Sequence, residues 1–92
     1  MIHSFSCKAT EALFNSKPSV RFKSIERLAR RKVLQLHAVT VLLDLRIPPG
    51  NMLEPLHKSR KGQYSIRINS QWRICFNWKV DGAYNVEIVD YH

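Results

Sequence analysis

The second half of the chain alternates apolar and polar residues in three consecutive runs. Their apolar members are Tyr64, Ile66 and Ile68, then Trp72, Ile74, Phe76 and Trp78, then Tyr84, Val86 and Ile88. Successive side chains of a β-strand point to opposite faces, so this period of two predicts three strands. The polar residues 69–71 and the Asp81-Gly82 pair predict the turns between them, and residues 52–56 are a candidate for one more strand.

The first half has the spacing of helices. A strand over residues 2–7 and a short helix over residues 8–15 are predicted before a break around Pro18. From Phe22 to Val39 apolar residues recur three or four positions apart, which predicts a longer helix with one buried stripe. Helices followed by an antiparallel meander predict an α+β fold, with the helices on one face of a small sheet. The 92 residues form one domain, because two cores within 10.8 kDa would each be too small to fold alone.

The charge of the chain points to a polyanionic partner. Fifteen Lys and Arg against seven Asp and Glu give a net charge of +8, which suits nucleic acid, an acidic protein or an anionic membrane. Solubility alone is the alternative explanation. Part of the excess lies on the polar side of the predicted long helix, at Lys23, Arg27, Arg30 and Arg31. These four residues form either a solvated face or a binding surface.

Several classes of protein are disfavoured. The longest apolar run, residues 39–43, is far shorter than the ~20 residues that span a bilayer, and the first residues lack a secretory pattern. We therefore expect a cytoplasmic protein with no membrane partner. Cys7 and Cys75 could form one disulfide but are expected to be reduced thiols, and the four histidines lack metal-ligand spacing, so no metal site is predicted.

Strand parity assembles a candidate site on the sheet face away from the helices. If Trp72 and Ile74 face the helices, then Arg73 points the other way, together with Arg67 and Tyr91. His92 follows at the strand end, and the loop 57–62 enters beside the same face. The predicted result is a cleft with cations, a phenol and imidazoles, and few carboxylates.

Such a cleft suits RNA cleavage through the 2′-hydroxyl. That reaction needs a proton acceptor, a proton donor and cations around the phosphate, and it requires no metal. An aromatic ring can also stack on an unpaired base. The alternative is ordinary: Arg73 is a solvated strand residue, and Tyr91 and His92 are a dispensable tail.

The motifs also resemble a known family. Gln71-Trp72-Arg73-Ile74, the terminal Asp90-Tyr91-His92 and the upstream segment 46–56 closely resemble the HigB toxins, members of the RelE/ParE superfamily of type II toxin–antitoxin systems. The likeness covers the whole chain, strongly from residue 45 onward and loosely before it.

The resemblance implies a RelE-like fold and an mRNA interferase that cuts messenger RNA in the ribosomal A site, without a cofactor. It implies a HigA-type helix-turn-helix antitoxin as partner, with operator DNA contacted only through that antitoxin. By motif match, the catalytic positions are Arg73, Asp90, Tyr91 and His92. We expect RNA phosphates to bind His57, Lys58, Arg60, Lys61 and Arg67, and the ribosome to bind Lys23, Arg27, Arg30 and Arg31.

Two positions depart from the family pattern. Glu54 stands where some members have a catalytic histidine, and His57 stands where a lysine is usual. Whether either residue takes part in catalysis is left open by the sequence.

Two other functions stay open as well: a noncatalytic basic module that binds RNA or the ribosome, and a ParE-type poison of DNA gyrase on the same fold. The Asp90-Tyr91-His92 ending favours the ribonuclease over the gyrase poison.

Overall fold

The computed structural model describes residues 1–90. It contains the helices α1 (Lys8–Phe14) and α2 (Glu26–Ala38) and the strands β1 (Glu54–Pro55), β2 (Gln63–Arg67), β3 (Trp72–Lys79) and β4 (Gly82–Asp90). Short 3-10 turns lie at Leu42–Arg46, Pro49–Asn51 and Lys58–Arg60. Both helices pack on one face of the sheet, so the predicted α+β architecture is confirmed.

The sheet is an antiparallel meander with the strand order β1-β2-β3-β4. The predicted first strand forms only two isolated bridges, Ile2 to Ala83 and Phe5 to Val86, and it runs parallel to β4. Its backbone approaches β4 so closely at Gly82 that a Cβ there would lie 2.1 Å from the carbonyl oxygen of Met1. Glycine at this turn therefore serves both the hairpin and the docking of the N-terminal segment.

The long helix begins four residues later than predicted. Residues 21–25 form turns, in which the amide of Phe22 donates to Ser19 Oγ and that of Ile25 donates to the Phe22 carbonyl. Phe22 and Ile25 are nevertheless buried with the stripe of α2, because the turns carry them onto the same core. That stripe consists of Ala29, Val33 and Leu36.

The core lies between the helices and one face of the sheet. Its sheet side is supplied by Ile66, Ile74, Phe76, Ala83, Val86 and Ile88, as the alternation predicts for all but Ala83. Trp72 is half-buried and packs edge-on against the Phe22 ring, with the ring centroids 5.5 Å apart.

Tyr84 departs from the predicted face. Cys75 pairs with Glu87 but Asn77 pairs with Tyr84, so both Asn85 and Val86 lie opposite the single residue between Cys75 and Asn77. This β-bulge, with Asn85 at φ +55°, turns Tyr84 away from the core. Its ring instead stacks on His3 at the end of the sheet.

No helix among residues 1–90 is long and apolar enough to cross a bilayer.

Candidate active site

The face of the sheet opposite the helices, here called the outer face, carries two polar rows. One row runs across all four strands as Glu54, Ser65, Cys75 and Glu87, and the next row contains Arg67, Arg73 and Val89. Register partners in a sheet share a face, so Arg67 and Arg73 lie side by side, as strand parity predicts. The rows also place two carboxylates on this face, those of Glu54 and Glu87.

Arg73 is the centre of the candidate site, and it is not the solvated strand residue of the ordinary alternative. The residue is only 7% exposed. Its Nε donates to Ser65 Oγ and its Nη2 donates to the Met52 carbonyl, both at 2.8 Å. The same Nη2 lies 3.4 Å from Glu54 Oε1. Residues 52–54, here called the covering segment, therefore hold the guanidinium against the sheet.

A second ion pair lies on the outer face. Arg60 Nη1 donates to Glu87 Oε1 at 2.8 Å and to Gln63 Oε1 at 3.0 Å. This contact ties the Lys58–Arg60 turn to β4, 27 residues further along the chain. Two arginine–carboxylate pairs thus hold the loop 57–62 and the covering segment to the sheet.

Cys75 lies between these pairs and is fully buried. Burial raises the pKa of its thiol, and Glu87 raises it further, while the guanidiniums of Arg60 and Arg73 act against this shift. Both cysteines of the chain are free thiols. Cys75 is therefore a neutral, inaccessible side chain that fills space under the charged groups.

The remaining predicted phosphate-binding residues differ in exposure. Arg67 is half-buried and donates from Nε to the Asn69 carbonyl at 3.0 Å. His57, Lys58 and Lys61 are exposed in the loop. A pocket of about 400 Å³ is lined by residues 54–58, so it opens beside Glu54 and includes His57 and Lys58.

The four cations predicted to bind the ribosome lie with the helices, on the other side of the sheet from Arg73. Arg27 and Arg31 are exposed on α2, and Lys23 is exposed in the turns before it. Arg30 is half-buried, because its Nε donates to the Leu13 carbonyl of α1 and its Nη2 pairs with Glu26 at 3.3 Å. Arg30 thus joins the two helices, and the structure does not bring these four residues next to the outer face.

The predicted chain-end residues fall in two groups. Asp90 pairs with Trp72 across the sheet, which gives it the parity opposite to that of Arg73, and its carboxylate accepts from Gln71 Nε2 at 3.1 Å. Tyr91 and His92 lie outside the described residues. Among residues 1–90 no group of three or more His, Cys, Asp or Glu side chains could hold a metal ion.

Sequence reasoning missed Ser65 and Glu87 as members of the site. Their positions on the outward parity of β2 and β4 were the available signal. Their partners were not predictable, since Arg60 and Arg73 reach them from other parts of the chain.

Comparisons with known proteins identify the family. The model of the HigB-like toxins, described as RelE-like toxins of type II toxin–antitoxin systems, matches residues 4–92. The chain belongs to the HigB-like toxin family. Toxin HigB-1 of Vibrio cholerae is 50% identical over 60 residues, or 65% of this chain, and an uncharacterized protein of Haemophilus influenzae is 32% identical over 63 residues, or 68%. The HigB-like chain covers 62% of the length of each of these relatives.

Solved structures share the fold of this HigB-like chain. YafQ from E. coli strain BL21(DE3) superposes with a TM-score of 0.63 at 15% identity, over 98% of this chain and 91% of YafQ. A chain of the YoeB–YefM complex from Staphylococcus aureus gives a TM-score of 0.59 at 21% identity, over 100% and 95%. At such low identities the likeness establishes the RelE-like fold and nothing finer.

Proposed function

We propose that this HigB-like toxin is a ribosome-dependent endoribonuclease that cleaves messenger RNA through the RNA's own 2′-hydroxyl. The observation that carries the proposal is the arrangement around Arg73. A guanidinium fixed at 2.8 Å by Ser65 Oγ and the Met52 carbonyl lies beside the half-exposed carboxylate of Glu54. A fixed cation stabilises a crowded, negatively charged phosphorane, and a carboxylate beside it can accept the proton that the weakly acidic 2′-hydroxyl must lose.

Each bond change in the proposed reaction has a group to assist it. The 2′-oxygen attacks the phosphorus and loses its proton to Glu54, while Arg73 stabilises the negative charge on the phosphorane oxygens. The bond from phosphorus to the 5′-oxygen then breaks, and His92 supplies the proton that this oxygen takes up. The products are a 2′,3′-cyclic phosphate and a 5′-hydroxyl end. Of the two open candidates for the proton acceptor, Glu54 is favoured over His57 because it contacts Arg73 directly.

Other residues bind the substrate in this proposal. Tyr91 stacks on a base of the unpaired message, and Asp90 orients the chain end. Flanking phosphates bind His57, Lys58 and Lys61 of the loop, together with Arg60 and Arg67. The exposed helix cations Lys23, Arg27 and Arg31 bind ribosomal RNA, which would place the toxin in the A site of cytoplasmic ribosomes. Arg30 would act there through its contact with Glu26 and Leu13.

The proposed regulatory partner is a HigA-type helix-turn-helix antitoxin. Type II toxins are paired with antitoxins, and similar folds occur in the heterotetrameric YoeB–YefM toxin–antitoxin complex from Staphylococcus aureus. Operator DNA would be contacted only through this antitoxin.

One experiment separates the proposal from its alternatives. Purified toxin is added to ribosomes carrying a defined message, and the new RNA 5′ ends are mapped with and without prior phosphorylation by a polynucleotide kinase. We expect ends that require the kinase, because they are 5′-hydroxyls, and no cleavage of the same message without ribosomes. Translation arrest without new ends would indicate a noncatalytic binding module, and accumulation of gyrase–DNA cleavage complexes in treated cells would indicate a gyrase poison.

A further inference from the structure

Asn51 is a polar residue whose side chain is completely buried just before the covering segment reaches Arg73. Its Nδ2 lies within hydrogen-bond distance of Gln35 Oε1 and the Leu45 carbonyl, both at 3.1 Å, and of the Ile47 carbonyl at 3.3 Å. Buried amides need such partners, and the Nδ2 of Asn51 has three acceptors within reach. An apolar core residue would have filled the same volume without these bonds, so the amide fixes a particular arrangement of the chain around it.

Two of the partners come from α2. Lys32 donates from Nζ to Asn51 Oδ1, and Gln35 accepts from Asn51 while its own Nε2 donates to the Ile47 carbonyl at 2.7 Å. Lys32 and Gln35 are three positions apart and therefore neighbours on one side of the helix. Asn51 thus fastens the segment 45–51 to the rigid helix.

Met52, the residue after Asn51, contacts Arg73 directly. Met52 adopts the left-handed conformation with φ +48°, which is uncommon for a residue other than glycine. Its amide donates to the Pro49 carbonyl at 3.1 Å, and its own carbonyl accepts from Arg73 Nη2. Two residues later, Glu54 pairs with the same nitrogen. The position of the Met52 carbonyl therefore depends on where the chain is anchored at Asn51.

We propose that Asn51, held by Lys32 and Gln35, is a positioning residue that sets the orientation of the Arg73 guanidinium and of Glu54 at the phosphate site. This inference rests on the proposed function. Asn51 touches neither substrate nor reacting atoms and acts only through the covering segment. Misplacement of a catalytic group by about 1 Å can cost on the order of 10²-fold in rate, so a loosened anchor should appear in kcat.

The first test replaces Asn51 by aspartate. Asn51→Asp keeps the size and the acceptor for Lys32, but it turns a carboxylate oxygen toward Gln35 Oε1 and two carbonyl oxygens. We expect kcat for ribosome-dependent cleavage to fall on the order of 10²-fold, with KM changed less than threefold. Gln35→Met removes the acceptor for Asn51 Nδ2 and the hydrogen bond from Gln35 Nε2 to the Ile47 carbonyl, but it keeps the other contacts of Asn51. This variant should lower kcat by a smaller factor, and it tests the inference if Asn51→Asp does not fold.

The matched control is Thr10→Val. Thr10 is also fully buried, and its Oγ1 accepts from the Ile88 amide at 3.0 Å, on the helix side of the sheet. Its loss should lower stability while leaving kcat within twofold of wild type. If Thr10→Val lowers kcat as much as the Asn51 and Gln35 variants do, at equal loss of stability, the effect is general destabilisation and the inference is wrong.

A second measurement does not depend on cleavage. The Nε–H of Arg73 donates to Ser65 Oγ in a buried position, so its hydrogen exchange in the ¹⁵N-labelled protein reports how firmly the guanidinium is held. We expect faster Nε–H exchange in Asn51→Asp and Gln35→Met, with the backbone amide of Ile74 unchanged. Unchanged Nε–H exchange in both variants would overturn the inference. Absence of cleavage by wild type, with the exchange effect present, would instead refute the proposed function alone.

Discussion

Replacement of Arg73 by alanine removes the group on which both the outer face and the proposed chemistry depend. The side chain forms two hydrogen bonds of 2.8 Å, to Ser65 Oγ and to the Met52 carbonyl, and pairs with Glu54. Hydrogen bonds that involve a charged group contribute about 1.5–3 kcal/mol each. Two such bonds would contribute about 3–6 kcal/mol. Water can enter beside Glu54, whose side chain is 46% exposed, and offset part of this loss, so we expect a net loss of about 2–4 kcal/mol.

The same substitution has a predicted kinetic effect. Removing one preorganised donor to a developing oxyanion costs about 10²–10³-fold in kcat. Arg73→Lys separates the two effects, because a single ammonium keeps the charge but cannot reproduce the planar fork that reaches both Ser65 and Met52. We therefore expect Arg73→Lys to lose about half as much free energy of unfolding as Arg73→Ala. Its cleavage rate should fall nearly as far as that of Arg73→Ala.

Thermal denaturation, urea denaturation and single-turnover cleavage on programmed ribosomes measure these quantities. A loss of about 2–4 kcal/mol corresponds to a drop of roughly 10–25 °C in Tm for a domain of this size. Rates are compared at a temperature at which all variants are folded, with Thr10→Val as the destabilised control. An Arg73→Ala protein with the Tm of wild type would show that the contacts to Ser65 and Met52 do not stabilise the fold. Cleavage by this variant at the wild-type rate would remove Arg73 from the proposed site.

Three further predictions address other parts of the chain. Deleting residues 91–92 should slow cleavage by about 10²–10⁴-fold, the contribution of a general acid or base, with an unchanged urea midpoint; full activity would make the chain end dispensable. Replacing both Arg27 and Arg31 by alanine should flatten the log–log salt dependence of ribosome binding by roughly 1.4–1.8 if each contacts one phosphate, and an unchanged slope would assign these exposed side chains to solvent or to the antitoxin. The Tyr84 hydroxyl donates to Asp81 Oδ2 at 2.7 Å and holds the pKa of Asp81 below its ordinary value. The bond therefore stabilises the fold above the unfolded-state pKa of about 3.9, and this contribution is lost as the pH falls through the lower pKa of the folded state. The stability deficit of Tyr84→Phe, measured by urea denaturation, should therefore be full at about pH 6 and shrink as the pH is lowered below about 3.9; a deficit independent of pH would contradict this.

The sequence alone determined the fold class and the family. Alternation of apolar residues along β3 is a local property, and it correctly predicted that Ile74 and Phe76 face the helices while Arg73 points away. The spacing of apolar residues also predicted the buried stripe of α2. The first residue of the helix was not predicted correctly, because it depends on how the preceding turns pack. Short motifs around Arg73 and at the chain end were specific enough to indicate the HigB toxins, which the family match over residues 4–92 confirms.

Tertiary structure decided what surrounds each of these residues. Parity gives the face on which Arg73 lies, but its burial comes from the Met52 carbonyl and Glu54, about twenty residues away in the chain. The β-bulge at Asn85 could not be predicted from the alternation, because one extra residue reverses the parity of everything before it, and so Tyr84 faces outward. The anchoring role proposed for Asn51 could not be predicted from the sequence either, because an asparagine after Pro48-Pro49-Gly50 is typical of any turn. Local patterns fix which way a side chain points, whereas its partners are set by segments that only the folded chain brings together.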